Sequence, residues 1–261
     1  MFPELFRIGS FSMSTYGLMN MLGYLAAVMY LIKYKNRVGV SSDTIWNVMF
    51  ISIISAIAGG KLFYILFEVR PTTWEEIKSV IVTFRYGFVF LGGFIVTVTA
   101  LIIYLVKNKL PLVKMADFLI PGLPLGHAIG RIGCFLVGCC HGKPWDGPWA
   151  VTFTNPHSLV EPHLLGVPLH PTQIYEVIAN FAIFAVLHVV TEKKHRSGSI
   201  VLLYAAMYGA LRFIMEFFRG DYRGNFFMGF SPSQMVSLGL IIGAAILYFV
   251  FVRRGKTDGG K

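Results

Sequence analysis

Arg131 and Arg212 each stand inside an apolar run, where a charge that cannot be shed is costly and normally faces a cavity or a partner. Helical spacing places His127, Arg131, Cys134 and Gly138 at i, i+4, i+7 and i+11, and Tyr208, Arg212, Glu216 and Arg219 at i, i+4, i+8 and i+11. These spacings predict two polar stripes, with Arg131 on one and Arg212 on the other, that converge on one anion. The planar guanidinium fork suits phosphate, and the abundant phosphate of a bilayer is the phospholipid head group. A second arrangement pairs Arg212 with Glu216, and Arg131 with Asp117 or Glu176, leaving more positive than negative charge. Lys61 and His188 are the other ionisable residues inside apolar runs.

All three cysteines lie beside Arg131, in GRIGCFLVGCCHG, Gly130–Gly142. Cys134, Cys139, Cys140 and His141 have C-x4-C-C-H spacing, which is no standard zinc pattern, and no C-x-x-C redox pair exists. On a continuous helix Cys134 shares a face with His141 while Cys139 points elsewhere. The thiols therefore read as small buried residues packing under glycines, and no metal site is expected. The pairs Gly126–Gly130 and Gly138–Gly142 permit close approach of a helix or a ligand.

These residues belong to helices in a membrane. The chain is 55% hydrophobic and 14% charged, against roughly 25% charged in soluble domains. A hydrocarbon core of ~30 Å needs about 20 apolar residues per helix. Seven stretches qualify, at 16–32, 46–69, 88–106, 116–138, 171–190, 199–218 and 233–252. The fold class is thus all-α and polytopic, and the chain reads as a single domain over 1–261, without repeats. The N-terminus, MFPELFRIGSFSMS, lacks the pattern of a cleaved signal peptide.

The net charge of +10 is not a nucleic-acid footprint, because no basic region stands apart from the spans. With the N-terminus outside, the inner segments hold Lys33, Lys35, Arg37, Lys107, Lys109, Lys114, Lys193, Lys194, Arg196, Arg253, Arg254, Lys256 and Lys261. The outer segments hold fewer: Arg7, Arg70, Lys78, Arg85, Lys143, Arg219 and Arg223. The positive-inside rule then puts the C-terminus in the cytoplasm.

Three local features qualify the helix count. Trp74–Phe84 is too short and charged to span and suits a helix at the interface. Pro121 and Pro124 break the fourth span at IPGLPLG, which membrane depth tolerates only where the freed backbone is buried in protein or faces water. The loop 143–169 lies on the outer side as a candidate lid, with a strand pair around WAVTFTN and with His157 and His163 on its surface.

The ordered motifs resemble those of the bacterial prolipoprotein diacylglyceryl transferases. Gly130-Arg131-Ile132-Gly133-Cys134-Phe135 is similar to that family's Gly-Arg-x-Gly-Asn-Phe segment. Tyr16-Gly17-Leu18-Met19, Gly59-Gly60-Lys61, His170-Pro171-Thr172-Gln173-Ile174-Tyr175-Glu176, Tyr208-Gly209-Ala210-Leu211-Arg212-Phe213 with Glu216-Phe217-Phe218-Arg219, and Ser233-Gln234 resemble further family segments in order.

The resemblance implies transfer of the diacylglyceryl group of phosphatidylglycerol to the lipobox cysteine of a preprolipoprotein, in the bacterial inner membrane, with release of glycerol phosphate. It casts Arg131 and Arg212 against the phosphate, with Tyr16, Gly92, Gly93, Cys134, Gly142, Tyr175, Tyr208, Glu216 and Arg219 binding substrate. No cofactor is implied, and the partners are phosphatidylglycerol, the preprolipoprotein and membrane lipid. This sequence departs from the family at Leu91, where a histidine or tyrosine is usual, at Cys134 and Cys139, and at Lys61. His127 is then the nearest candidate base. A relative acting on another acceptor, a transporter of an anionic lipid or solute, and a membrane thiol-redox protein fit parts of the same pattern.

Overall fold

In hydrocarbon a chain must satisfy its own backbone hydrogen bonds, so apolar runs of this length fold as helices. The computed structural model describes residues 3–8, 11–71, 73–82, 87–220 and 229–252. Arg85, Arg223, Arg253, Arg254, Lys256 and Lys261, used above to orient the chain, lie outside them, as does the end of the Trp74–Phe84 segment. The described chain opens with strands β1 (Glu4–Ile8) and β2 (Phe11–Ser14), followed by helices α1 (Thr15–Tyr34), α2 (Ser42–Phe63), α3 (Trp74–Val82), α4 (Phe90–Lys107), α5 (Leu112–Leu119) and α6 (Gly122–Val137). Strands β3 (Val151–Thr152) and β4 (Pro168–Leu169) then precede α7 (Thr172–Thr191), α8 (Ser199–Met215) and α9 (Pro232–Leu247).

Six helical stretches among the described residues are long and apolar enough to cross a membrane: Thr15–Arg37, Ser42–Val69, Phe90–Lys107, Leu112–Val137, Thr172–Thr191 and Pro232–Phe251. The seventh, α8, is apolar but shorter. Large apolar side chains such as Phe50, Phe94 and Val236 are exposed on these helices, an arrangement that lipid accommodates and water does not. The chain is an all-α, multi-pass membrane protein, with two small two-stranded sheets among the described residues.

Internal packing divides the chain into two compact units, Ile32–Met115 and Met1–Leu31 with Ala116–Lys261. In the first, α2 packs on α4 through glycines. A Cβ on Gly92 would stand 2.6 Å from the Gly59 carbonyl oxygen, and one on Gly93 2.9 Å from that of Ala56. Packing of α2 on α4 thus accounts for both glycines. Lys61 is buried, donates to the Val80 carbonyl at 3.0 Å and lies 4.6 Å over the Phe88 ring.

In the second unit α6 packs on α7, α7 on α8, and α8 on α9. The antiparallel β1–β2 hairpin ahead of α1 was not anticipated from the sequence. The break in the fourth span is real: α5 ends at Leu119 and α6 begins at Gly122, so Pro121 and Pro124 fall in a first turn whose amides have no intrahelical acceptor. Asp117 accepts from the amides of Gly198 (2.5 Å) and Val201 (3.0 Å), capping the start of α8 from a distant helix. It is therefore not the partner of Arg131. The last span starts with a capping box, Ser231 with Gln234, and Pro232 at the first helical position.

The 143–169 segment has a core of its own. Phe153, Val160, Leu164 and Leu169 are buried together, β3 pairs with β4, and the Leu159 amide ties the segment to the end of α6 through the Val137 carbonyl. The strand pair is present at Val151–Thr152, and His157 and His163 are exposed, as expected.

Candidate active site

Three helix ends meet here: the C-terminal halves of α6 and α8, carrying Arg131 and Arg212, and the start of α7, carrying Glu176. Glu176 is only 1% exposed. Arg131 Nε lies 2.6 Å from its Oε2, Arg219 Nη1 3.1 Å from its Oε1, and Arg212 Nη1 3.5 Å from the same oxygen. Glu216 Oε2 pairs with Arg212 Nη2 at 3.2 Å. One carboxylate thus holds three guanidiniums together, and a second holds one of them. The cluster carries three positive and two negative charges, which leaves it suited to an anion. Arg212 also lies in the last turn of α8, where the helix dipole favours a cation.

His127 is bound to the same cluster. Arg131 Nε donates to His127 Nε2 at 3.1 Å, so Nε2 is the unprotonated nitrogen and the ring is neutral with its proton on Nδ1. The imidazole centroid is 5.8 Å from that of Tyr208. Tyr16 opens α1 with its ring half exposed, and the α1 backbone at Tyr16 passes α6 where a Cβ on Gly133 would come within 3.2 Å of Tyr16 Cα.

The expected helical stripes are corrected at both ends. Helix α6 stops at Gly138, in the left-handed region at φ +85°, the usual helix-ending role of glycine. Helix α8 stops at Met215, so Arg219 is not on it; Arg219 lies in an extended bridge opposite Gly142. Gly142 is the crossing point of three chain segments. Its amide donates to His170 O at 3.2 Å, while Lys143 N donates to Phe218 O at 2.9 Å and Gly220 N to His141 O at 3.2 Å. A Cβ on Gly142 would stand 2.5 Å from His170 O and 2.9 Å from Phe218 O. Gly142→Ala is expected to lower stability by about 1–3 kcal/mol through overpacking and to slow any chemistry that needs Arg219 in place. Thermal unfolding in detergent measures the first effect and turnover of the variant the second.

The rim is aromatic. Trp145 stacks on His170 with centroids 4.4 Å apart. Tyr175 Oη accepts from Trp149 Nε1 at 2.8 Å and lies 3.3 Å from His170 Nδ1. Partial burial, then the nearby charge of Lys143, hold the His170 imidazole below its ordinary pKa. Its Nδ1 and the Tyr175 hydroxyl share one hydrogen bond at the rim.

The profile of the prolipoprotein diacylglyceryl transferase family matches residues 3–250. Similar curated proteins include the phosphatidylglycerol–prolipoprotein diacylglyceryl transferase of Clostridium tetani, 39% identical over 249 residues that cover 95% of this chain and 96% of the relative. The corresponding transferase 2 of Clostridium perfringens is 33% identical over 258 residues, covering 99% and 97%. That of Dehalococcoides mccartyi is 32% identical over 262 residues, covering 99% and 96%. The chain belongs to the prolipoprotein diacylglyceryl transferase family.

In this family member the structure brings together Arg131, Arg212, Arg219, Glu216, His127 and, beside them on α6, Cys134. Tyr208 reaches the cluster through His127, and Gly142 through the bridge to Arg219. Gly92 and Gly93 belong to the other unit, where they serve the packing of α2 on α4. Tyr175 lies at the rim. Glu176 was legible as one of two possible partners for Arg131 and as the end of a motif-like segment, yet it proves to be the centre of the cluster. Gln173 and Asn180 were missed: both are fully buried on the Glu176 face of α7, and Gln173 Oε1 and Asn180 Oδ1 have no hydrogen-bond partner among the described residues. Their i, i+3, i+7 spacing with Glu176 was the available signal.

The cysteines also depart from the expected pattern. Because the helix ends at Gly138, Cys139 does not point away from Cys134, and the Sγ atoms of Cys134, Cys139 and Cys140 lie within 4.8 Å of one another.

Proposed function

We propose that the chain is a phosphatidylglycerol:prolipoprotein diacylglyceryl transferase that acts as one domain over 1–261, moving the diacylglyceryl group to the sulfur of a lipobox cysteine. The observation that carries this reading is the buried cluster of Arg131, Arg212 and Arg219 around Glu176, in a chain that matches the family over nearly its whole length. A thiolate attacks the glyceryl carbon, the carbon–sulfur bond forms, and the carbon–oxygen bond to phosphate breaks. The phosphate changes from a diester with one negative charge to a monoester approaching two. Guanidiniums already held in place stabilise that developing charge without reorganising. The glycerol head group brings hydroxyl donors, for which Gln173 Oε1 is a buried acceptor.

The excess of Lys and Arg in the inner loops supports an N-terminus outside and a C-terminus in the cytoplasm of the bacterial inner membrane. That orientation places the arginine cluster and the 143–169 segment on the outer side, where secreted preproteins arrive.

His127 serves in this scheme by orienting Arg131. A glutamine can replace Nε2 as acceptor, so His127→Gln is expected to keep transfer within about tenfold of the parent, and His127→Leu, with no acceptor, to lose more. A His127→Gln variant as inactive as His127→Leu would instead make the imidazole a proton carrier. The function itself is tested by incubating the purified protein with phosphatidylglycerol and a lipobox peptide and searching for the thioether product by mass spectrometry. Product is expected; none, with a relative active alongside, would overturn the assignment.

A further inference from the structure

The three thiols form the one close group of His, Cys, Asp or Glu ligand atoms among the described residues, with every Sγ within 4.8 Å of the others. The backbone is specialised to achieve this. After the left-handed Gly138, Cys140 also adopts positive φ, +60°, a region disfavoured for a residue with a side chain. Two side chains of α7, each fully buried, hold the segment there: Gln173 Nε2 donates to Cys139 O and Thr172 Oγ1 to Cys140 O, both at 2.8 Å. In an extended chain adjacent side chains point to opposite sides; the left-handed turn lets neighbouring Cys139 and Cys140 both approach Cys134.

Three sulfurs at zinc–thiolate distance, about 2.3 Å from one ion, stand about 4 Å apart, so the cluster needs only a small contraction to close on one. All-sulfur ligation selects soft and borderline ions. Three protein ligands leave the fourth tetrahedral position open, the arrangement of zinc sites that take a substrate. Cys134 is buried and the other two thiols are half-buried, which keeps that position within reach.

We infer that Cys134, Cys139 and Cys140 form a tris-thiolate site for a zinc-class divalent ion, whose open position takes the acceptor cysteine of the proposed transfer as its thiolate. The acceptor half rests on the function proposed above; the ion site does not. On coordination the acceptor S–H gives its proton to water, as thiols do when bound to such an ion. The bound sulfur then attacks the glyceryl carbon, and the carbon–oxygen bond breaks with its electron pair staying on the phosphate oxygen. The ion does not change oxidation state. This supplies a thiolate without calling on His127 Nε2, which Arg131 engages, or on Glu176 and Glu216, which stand in ion pairs.

The test uses the full-length protein in detergent, loaded with Zn(II), desalted and assayed for bound metal by mass spectrometry. About one zinc per chain is expected, with affinity reduced at least a hundredfold or so in each single Cys→Ser variant. Cobalt substitution should give a thiolate-to-metal charge-transfer band. Stripping the ion with a chelator should lower thioether formation at least about a hundredfold, and zinc should restore it. No retained zinc, or equal retention by a triple Cys→Ala variant that keeps its helical circular dichroism, overturns the site. Zinc held by the thiols with full transfer after stripping overturns the activating role. Zinc held by the thiols with no thioether under any condition removes the acceptor half together with the transferase reading and leaves the ion site standing.

Discussion

Arg131→Ala and Arg212→Ala are each expected to reduce transfer by about a hundred- to a thousandfold, the usual loss when one preorganised donor to a developing negative charge is removed. The effect should fall mainly on kcat. Substrate phosphatidylglycerol carries one negative charge on its phosphate and the departing glycerol phosphate approaches two, so a guanidinium gains most of its interaction as the reaction proceeds. Lysine should rescue poorly. Arg131 meets Glu176 and His127 at once, and a single ammonium on a flexible stem cannot reproduce the planar fork. Steady-state kinetics on the parent, the alanine variants and the lysine variants checks this, and near-normal turnover in either alanine variant would remove that arginine from the phosphate role.

Glu176→Gln is expected to be the most destabilising single change in the molecule, by about 3–5 kcal/mol, because it leaves buried charges without their partner. Three guanidiniums now face one carboxylate at 2.6, 3.1 and 3.5 Å. With an amide in its place they repel one another in a site where Arg219 is almost fully buried. The substitution should lower the melting temperature and displace the arginines enough to abolish transfer. Adding Arg219→Gln to it should recover part of the lost stability, since one like charge is then gone; a double-mutant cycle on unfolding reports that coupling. A cost below about 1 kcal/mol for Glu176→Gln, typical of an exposed pair, would show that Glu176 does not hold the cluster.

Neither effect is written in one helix. The sequence carried the membrane architecture almost completely, because apolar run length and the need to satisfy backbone groups in lipid act locally. The break at Pro121, the αL stop at Gly138 in principle, and the capped start at Ser231 are likewise set by residues within a few positions of each other. The two arginines were legible for the same reason: a charge that cannot be neutralised stands out in apolar sequence wherever it occurs.

What the tertiary structure alone decided is which groups meet. Glu176, Arg131 and Arg212 come from three helices, and nothing in any one of them says that a single carboxylate serves all three arginines. Continued helical periodicity placed Arg219 on α8 and turned Cys139 away from Cys134. Both expectations failed because the helices end, at Met215 and Val137, and because the Gly142 backbone and the side chains of Thr172 and Gln173 then hold the emerging segments through hydrogen bonds to backbone groups across the fold. Sequence period describes side-chain direction only while the helix lasts. Beyond its end direction is fixed by long-range contacts, and that is where the arginine cluster is completed and the three thiols meet.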